Sequence, residues 1–376
     1  MPADHSILGE GTHTVHVIGV GGAGMSAIAT VLRGLGYRVT GSDRMGSPMT
    51  ARLVAEGIAV TIGHRAENLG DADVVTASPA VGPDNVELVE AHRRGLTVKP
   101  RSEVLAAIAS TRRCAAVAGT HGKTTTSSML TMALARAGLR PSFLIGADVG
   151  DLGTNGALDT GEWMVVEADE SYGTFTTLAP QLTVLTSVEP DHLDHYGSLA
   201  ALREAFAHLL AVTDGPCLVS ADDPGAAELG ASAGALGVGE AEGADYRVRN
   251  LVLSVDSVRF DLDGPGGPLG PIELSVPGRH NAANGALAAA AALEIGAGMD
   301  GVQAALRGFT GSPRRFERRG NVGGVEFIDD YGHLPGEIAP TLAAARLGHP
   351  KRVVAVFQPH RYTRTAALSD QFAHAF

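Results

Sequence analysis

Cysteine is almost missing from this chain of 376 residues. Cys114 and Cys217 are the only two, and neither belongs to a C-x-x-C pair or a zinc spacing. That excludes a disulfide framework, suits a reducing compartment, and leaves both thiols expected in the interior. No apolar run approaches the roughly 20 residues needed to cross a bilayer. The opening M-P-A-D-H-S-I-L-G-E has no basic flank followed by an apolar core, so neither a membrane partner nor a leader is expected and the location expected is cytoplasmic. Positive charge is also short. Against 41 acidic residues stand 29 basic ones, a net charge of -12, which counts against nucleic acid as a partner and requires anionic ligands to be handled locally. Only Lys99, Lys123 and Lys351 are lysines, the other 26 basic residues being arginine; with the richness in Ala and Gly, this bias fits the nucleotide composition of the gene.

What is present is a repeated alternation of short β-rich runs and helical patterns, in a chain long enough for two or three domains. One rhythm runs through V-H-V-I-G-V, Y-R-V-T-G, I-A-V-T-I and D-V-V-T-A. A second runs from C-A-A-V-A-G through W-M-V-V-E-A and L-T-V-L-T-S to the helical N-A-A-N-G-A-L-A-A-A-A-A-L. Residues 245–276 read as short antiparallel strands joined by D-G-P-G-G-P-L-G-P. A third rhythm opens at V-E-F-I-D-D and predicts a helix, a strand over V-V-A-V-F (353–357) and a last helix. The closing A-L-S-D-Q-F-A-H-A-F carries no helix stop signal, and one such unit is too little for an α/β domain. The natural protein is therefore expected to continue.

Two glycine loops carry the chemistry. Gly19, Gly21 and Gly24 stand in G-x-G-x-x-G spacing between a strand and a helix, where bare backbone approaches a diphosphate and the helix start supplies N–H donors. Asp43, at the end of the second strand, is placed to accept a ribose hydroxyl. On these residues alone an NAD-dependent dehydrogenase fits as well as another nucleoside diphosphate binder. The second loop, G-T-H-G-K-T-T-T from Gly119, is shorter than the usual phosphate loop, since Val117 stands where a glycine would. Lys123 is placed to neutralise β and γ phosphates and Thr124 to offer a hydroxyl to Mg2+. ATP is the implied ligand. Oxygen ligands for the metal come from two strand ends, E-A-D-E-S (167–171) and V-E-P-D-H-L-D-H-Y (188–196). Imidazole suits transition metals better than Mg2+, so on chemistry alone His192 stays open between ligand and structural residue.

Taken with P-G-R-H-N-A-A-N, I-D-D-Y-G-H and F-Q-P-H-R-Y-T-R-T, these motifs run in order along essentially the whole chain. Together they resemble the Mur ligases, the ATP-dependent amide-forming enzymes of peptidoglycan synthesis and cell-wall biogenesis, and most of all their alanine-adding branch. The resemblance implies an α/β fold in three domains: Rossmann-like over 1–110 for a UDP sugar, a central P-loop-type ATPase domain with a small antiparallel sheet over 111–312, and the start of a Rossmann-like amino-acid domain over 313–376. It implies UDP-N-acetylmuramic acid and L-alanine as substrates, with ATP and Mg2+ (Mn2+ as an alternative); oligomeric state is left open. Gly19, Gly21, Gly22, Gly24, Met25 and Asp43 would hold the UDP sugar. Gly119, Thr120, His121, Gly122, Lys123, Thr124 and Thr125 would hold the triphosphate, His280, Asn281 and Asn284 would lie by the adenine, and Arg314 or Arg315 would reach the phosphates. Thr124, Glu167 and His192 would bind the metal, and Tyr331, His333, Arg361 and Arg364 would line the amino-acid site. Lys123, Glu167, His192 and His333 are the implied catalytic set, with His192 and His333 both open as the base.

Two departures from the family pattern are Leu334, where a second histidine is common, and Ser187, where asparagine is common. No lysine lies between Lys123 and Lys351, so the carbamylated lysine of several related ligases has no counterpart. Competing readings are a ligase that recycles whole tripeptides, a non-catalytic UDP-sugar-binding regulator, and the dehydrogenase. Domain closure is expected, with one hinge near residues 311–313.

Overall fold

A computed structural model describes residues 7–376, apart from the side chains of Asp151 and Tyr172; residues 1–6, at the head of the stretch read above for a leader, lie outside the described residues. The first sheet is built from β1 (Thr14–Ile18), β2 (Arg38–Asp43), β3 (Ala59–Ile62), β4 (Val74–Ala77) and β5 (Thr97–Pro100), interleaved with α1 (Ala23–Gly34), α2 (Pro48–Ala55), α3 (Val86–Arg93) and α4 (Arg101–Ala109). All its strands are parallel, in the order β3-β2-β1-β4-β5. The chain reverses direction across the sheet between β1 and β4, which opens a crevice at their C-terminal ends, where the first glycine loop lies.

The second sheet has ten strands. Its elements are β6 (Arg113–Ala118), α5 (Lys123–Arg136), β7 (Ser142–Val149), β8 (Thr154–Ala157), β9 (Trp163–Glu167), β10 (Leu182–Leu185), α6 (Leu193–Tyr196), α7 (Leu199–Ala211), β11 (Cys217–Ser220), α8 (Pro224–Ala233), β12 (Leu236–Gly239), β13 (Tyr246–Leu253), β14 (Val258–Gly264), β15 (Gly267–Leu274), α9 (Arg279–Ile295) and α10 (Met299–Gly308). The order is β15-β14-β13-β12-β11-β10-β6-β9-β7-β8. The middle is parallel, and the antiparallel β13-β14-β15 meander expected from 245–276 extends one edge. β9 and β10 flank β6 on either side, with Glu167 level with Val117 and Leu185 level with Ala118. Three loops therefore leave the sheet side by side at one end.

Burial explains why the helices sit where they do. On one face α5, α9 and α10 pack together, and the alanines from Ala286 to Ala292 are buried without a break. A helix apolar on every side belongs inside, and small side chains let backbones approach. The other face holds the stacked Phe175 and Phe206 rings, 5.3 Å apart and fully buried. Both cysteines are buried, as expected. Helix α1 joins the two sheets: Asn155 donates to the Ala23 carbonyl at 2.6 Å and to Ser26 Oγ at 3.1 Å, and a Cβ on Gly156 would collide with Ala27. Arg52 adds a second tie, donating to Asp148 and Asn155 at 2.6 Å each.

The remaining elements are β16 (Glu317–Val322), β17 (Val325–Asp329), α11 (Pro335–Arg346), α12 (Tyr362–Ala367) and α13 (Ser369–Phe372). Here the expectation of a parallel unit is corrected. β17 does form over V-E-F-I-D, but it pairs antiparallel with β16 through a Gly323-Gly324 turn whose φ angles are both positive. V-V-A-V-F takes no regular secondary structure and joins no sheet among the described residues. Val353 and Phe357 turn inward against Ile338, Leu342 and Phe372, while Val356 is 96% exposed. A lone parallel strand cannot satisfy its backbone, and the other two strands of this segment already bond to each other. No described helix is long and apolar enough to cross a membrane.

Candidate active site

The turn after β6 is shaped by glycines that accept no side chain. Gly119 has φ +129°, and a Cβ there would strike Thr186 and the Ser187 backbone; Gly122, at φ +78°, would strike Asn284. The loop is held from β10 outward: Ser187 Oγ accepts from His121 N–H at 2.8 Å and Thr120 Oγ accepts from Glu189 N–H at 2.9 Å. Ser187 therefore does structural work in the position where asparagine is common. Lys123 starts α5 with its ammonium donating to the Gly119 carbonyl at 2.7 Å and paired with Glu170, also at 2.7 Å.

Because β9 and β10 flank β6, both acid loops meet at this lysine. Thr124 donates its hydroxyl to Glu167 at 2.8 Å, and the same carboxylate accepts from Gly146 N–H at 2.6 Å. Ligand atoms of Asp169, Glu170 and His192 lie within 4.8 Å of one another. Burial pushes the Glu170 carboxyl up to about 7, with Asp169 adding to the rise against the pull of Lys123. Asp169 is half-buried, and Lys123 and Arg101 hold it below the ordinary carboxylate range against the desolvation that would raise it. A carboxylate so poorly neutralised by its neighbours fits a divalent cation, and the oxygen-rich set with Thr124 and Glu167 fits a hard one. Asp169 and Glu170 were not singled out from the sequence. The signal was present in E-A-D-E-S, but strand geometry assigns Glu167 to the end of β9 and turns the next two acids toward the lysine.

His192 is at φ +51°, an uncommon conformation for a side chain of its size, and its Nε2 lies 3.1 Å from Ser171 Oγ. Burial lowers its pKa below the usual imidazole value despite Asp191 and Asp169 nearby. His333 is lowered too, by burial ahead of the opposing Glu337. Burial thus biases both imidazoles toward the neutral form, the form that can take a proton.

His121 behaves in the opposite way. Burial alone would lower it, but Glu189 at 3.1 Å and Glu337 at 3.6 Å outweigh that and raise it to about 9. Glu337, on α11, also pairs with Arg315 at 3.2 Å and accepts from His333 N–H at 2.9 Å. It is held well below the carboxylate range, chiefly by His121, although burial opposes this. A buried histidine–glutamate contact thus ties the phosphate loop to the third segment. Leu334, 2% exposed, occupies the interior at the head of α11.

The third segment brings its arginines to the same place, but in pairs with acids of the second. Arg364 grips Asp191 through Nη2 at 2.8 and 3.1 Å and through Nε at 3.0 Å, and Arg361 meets Asp194 at 3.2 Å. Arg314 and Arg315 stack over Tyr331, at 4.7 and 5.6 Å from its ring centre. Asn284 accepts from Thr126 at 3.3 Å and Asn281 donates to the Pro277 carbonyl at 2.7 Å, which pins the start of α9 beside the phosphate loop. His280 is half-buried with a buried, unpartnered Nδ1, and is pushed down to about 4 by desolvation and by Arg315.

At the first glycine loop, Gly19 has φ +76° and a Cβ on Gly21 would lie 2.8 Å from the Asp43 carboxylate. Asp43 accepts from Gly21 N–H at 2.8 Å, so one of its oxygens braces the loop. Gly22 caps α1, and Met25 is buried inside it. A cleft of about 490 Å3 runs between the three parts of the chain, lined by Ala23 from the first, by Lys123, Thr124, Glu167, Asp169, Glu170 and His192 from the second, and by Arg314, Tyr331, His333 and Arg361 from the third.

Comparison with known proteins agrees with this arrangement. Residues 14–113 match the Mur ligase family catalytic domain, 117–293 the Mur ligase middle domain, and 314–376 the Mur ligase glutamate ligase domain. A UDP-N-acetylmuramate–L-alanine ligase of Pelotomaculum thermopropionicum is 46% identical over 96% of this chain and 80% of its own length. Another of that name, from Acidothermus cellulolyticus, is 46% identical over 96% and 77%. Among solved structures, the UDP-N-acetylmuramate-alanine ligase of Thermotoga maritima superposes with a TM-score of 0.83 at 31% identity, over 94% of this chain and 83% of that one. A murein peptide ligase of Psychrobacter arcticus gives 0.77 at 25%, over 95% and 82%. With a cleft built from three converging parts and family matches across nearly its whole length, the chain belongs to the Mur ligases.

Proposed function

We propose that this protein joins L-alanine to the lactyl carboxylate of UDP-N-acetylmuramic acid at the expense of ATP, a step of peptidoglycan precursor synthesis carried out in the cytoplasm. The observation that carries the reading is the meeting of a phosphate loop, two acid loops, a diphosphate-type glycine loop and a pair of arginines around one cleft. The division into a UDP-sugar domain (1–110), an ATP domain (111–312) and an amino-acid domain (313–376) follows from which part supplies which group.

The γ-phosphoryl group leaves ADP as a carboxylate oxygen bonds to phosphorus, giving an acyl phosphate. The alanine nitrogen then attacks the acyl carbon, inorganic phosphate departs, and the proton lost from the amine passes to a neutral imidazole. Positioning and charge neutralisation account for most of the catalysis in such transfers. Lys123 neutralises the β and γ phosphates, with His121 in the same loop as a second positive charge. Thr124, Glu167 and His192 would hold the metal, with Asp169 and Glu170 beside it; Mg2+ when bound would supply further neutralisation of phosphate charge. His280, Asn281 and Asn284 flank the adenine, and the first glycine loop, with Gly19, Gly21, Gly22, Gly24, Met25 and Asp43, takes the UDP part. Tyr331, His333, Arg361 and Arg364 form the alanine site, a guanidinium fork suiting its carboxylate. His192 and His333 both stay open as the base, His192 only where its ring nitrogen is not committed to the metal, and burial favours the neutral form of each.

The test is phosphate release from ATP and Mg2+ with UDP-N-acetylmuramate, comparing no amine donor, L-alanine, and the tripeptide used by murein peptide ligases. Release that requires L-alanine is expected. Release that requires the tripeptide instead would move the protein to the recycling branch, and ATP-independent binding of UDP sugar with no release under any condition would favour the regulator.

A further inference from the structure

The third glycine of the first loop serves an arginine that no motif pointed to. Gly24 has an ordinary φ, so no backbone strain calls for glycine there. A Cβ at this position would lie 2.5 Å from Nη2 of Arg101 and 2.9 Å from its Cζ. The guanidinium therefore rests directly on the first turn of α1, at the mouth of the loop. Its other side faces the second sheet, where Nη1 stands 3.7 Å from Asp169, too far for a good hydrogen bond. Arg101 is 16% exposed, and its buried Nε has no hydrogen-bond partner. Among the described residues its guanidinium, with five possible N–H donors, is left with only this long contact, in a residue that sits between a diphosphate-type loop and the Asp169-Glu170-His192 cluster.

We propose that Arg101 binds the anionic part of the UDP-sugar substrate and, by the same movement, governs how available Asp169 is to the divalent cation. A planar fork with unused N–H groups over a glycine loop is suited to a diphosphate. When the guanidinium turns to phosphate, the long ion pair to Asp169 is given up, and that carboxylate turns to the cation cluster. Substrate and metal then assist each other's binding, and the effect must be reciprocal. Ala23, next to Gly24, lines the same cleft as Asp169 and Lys123, so the two events share one space. This inference rests on the function proposed above.

The experiment measures UDP-N-acetylmuramate binding by calorimetry, with and without Mn2+, on the full chain, on Arg101→Met, on Gly24→Ala and on the double variant. Mn2+ affinity is read separately by electron paramagnetic resonance. Wild type should bind the UDP sugar and bind Mn2+ more tightly in its presence. Arg101→Met should weaken the UDP sugar roughly tenfold to a hundredfold, as for a lost charged hydrogen bond, and abolish the mutual effect with Mn2+. Gly24→Ala, which pushes the flexible end of Arg101 aside, should also weaken the sugar, and its effect should be clearly smaller in the Arg101→Met background than in wild type. Additive losses in the double variant, or unchanged sugar binding in Arg101→Met, would overturn the assignment while leaving the ligase reading standing. Absence of UDP-sugar binding by the wild type would overturn both. Gly24→Ala keeps the test decisive if Arg101→Met folds poorly, since retained coupling to Mn2+ in that variant alone refutes the proposal.

Discussion

The His121–Glu337 contact should make the docking of the third segment depend on pH in a defined window. Its histidine titrates at about 9 in the structure against an ordinary 6.5, so the charge that favours the folded arrangement is complete below pH 6.5 and is lost as pH rises through 9. A shift of that size corresponds to about 3 kcal/mol. Glu189 and Glu337 both raise it against burial, and only Glu337 belongs to α11, so what holds the third segment to the phosphate loop is a part of this, on the order of 1 kcal/mol or a factor of about ten. Both side chains are largely buried, 14% and 9% exposed, which limits solvent screening. Replacing Glu337 with Gln keeps the shape and removes the charge. Protease cleavage around residues 311–316 should then be about tenfold faster at pH 6.5, and the acceleration that wild type shows between pH 6.5 and 9 should be largely lost. If Glu337→Gln keeps the wild-type pH profile, the contact does not hold the segment and the reasoning fails.

Lys123→Ala should abolish phosphate release while UDP-N-acetylmuramate binding by calorimetry stays near wild type, because the two glycine loops lie on different sheets; loss of both together would contradict separate sites. Asp191→Asn strands the Arg364 guanidinium in a buried position and should cost about 3 kcal/mol of stability, read as a lower urea midpoint; an unchanged midpoint would mean the pair is worth little. Phe206→Ala removes one of two fully buried stacked rings and should cost about 3–5 kcal/mol, with a loss below 1 kcal/mol showing that the site collapses freely.

The first two sheets were legible because each strand is followed by a helix of matching pattern, and a parallel sheet buried on both faces gives near-continuous apolar runs such as W-M-V-V and L-T-V-L. The phosphate loop was legible from its glycines, since Gly119 and Gly122 need conformations and clearances that other residues lack. V-V-A-V-F misled, because a run of β-branched residues states a preference and says nothing about whether a partner strand exists. The antiparallel β16 escaped notice since E-R-R-G-N-V has no apolar alternation and is almost wholly exposed. The acids Asp169 and Glu170 sat inside a quoted motif, but only the register of β9 beside β6 shows which of the three carboxylates meets the lysine. Arg101 gave no signal, being one arginine among many at the start of a helix, and the 173-residue separation of Asp191 and Arg364 is of the kind that local pattern cannot bridge.

One electrostatic rule runs through the cleft: most of its cations are matched by acids of the protein itself. Lys123 has Glu170, Arg364 has Asp191, Arg361 has Asp194, Arg315 and His121 share Glu337, and Arg101 has Asp169 at longer range. Three of these pairs, and the His121–Glu337 contact, join the second segment to the third or the first. Apart from Arg314, which rests on the Tyr331 ring, an anionic substrate gains one of these cations by displacing a carboxylate, and a displaced carboxylate in a buried site is costly unless something positive replaces its partner. A divalent cation beside Asp169 and Glu170 would do that for Lys123 and Arg101, whereas Asp191 and Asp194 could regain water if the third segment moved away. Exchange of partners then links three events, phosphate binding, metal binding and movement of the third segment, through the same few side chains. A chain with this much internal pairing should bind MgATP and UDP sugar cooperatively, while free ATP without the metal should bind weakly and leave the third segment docked.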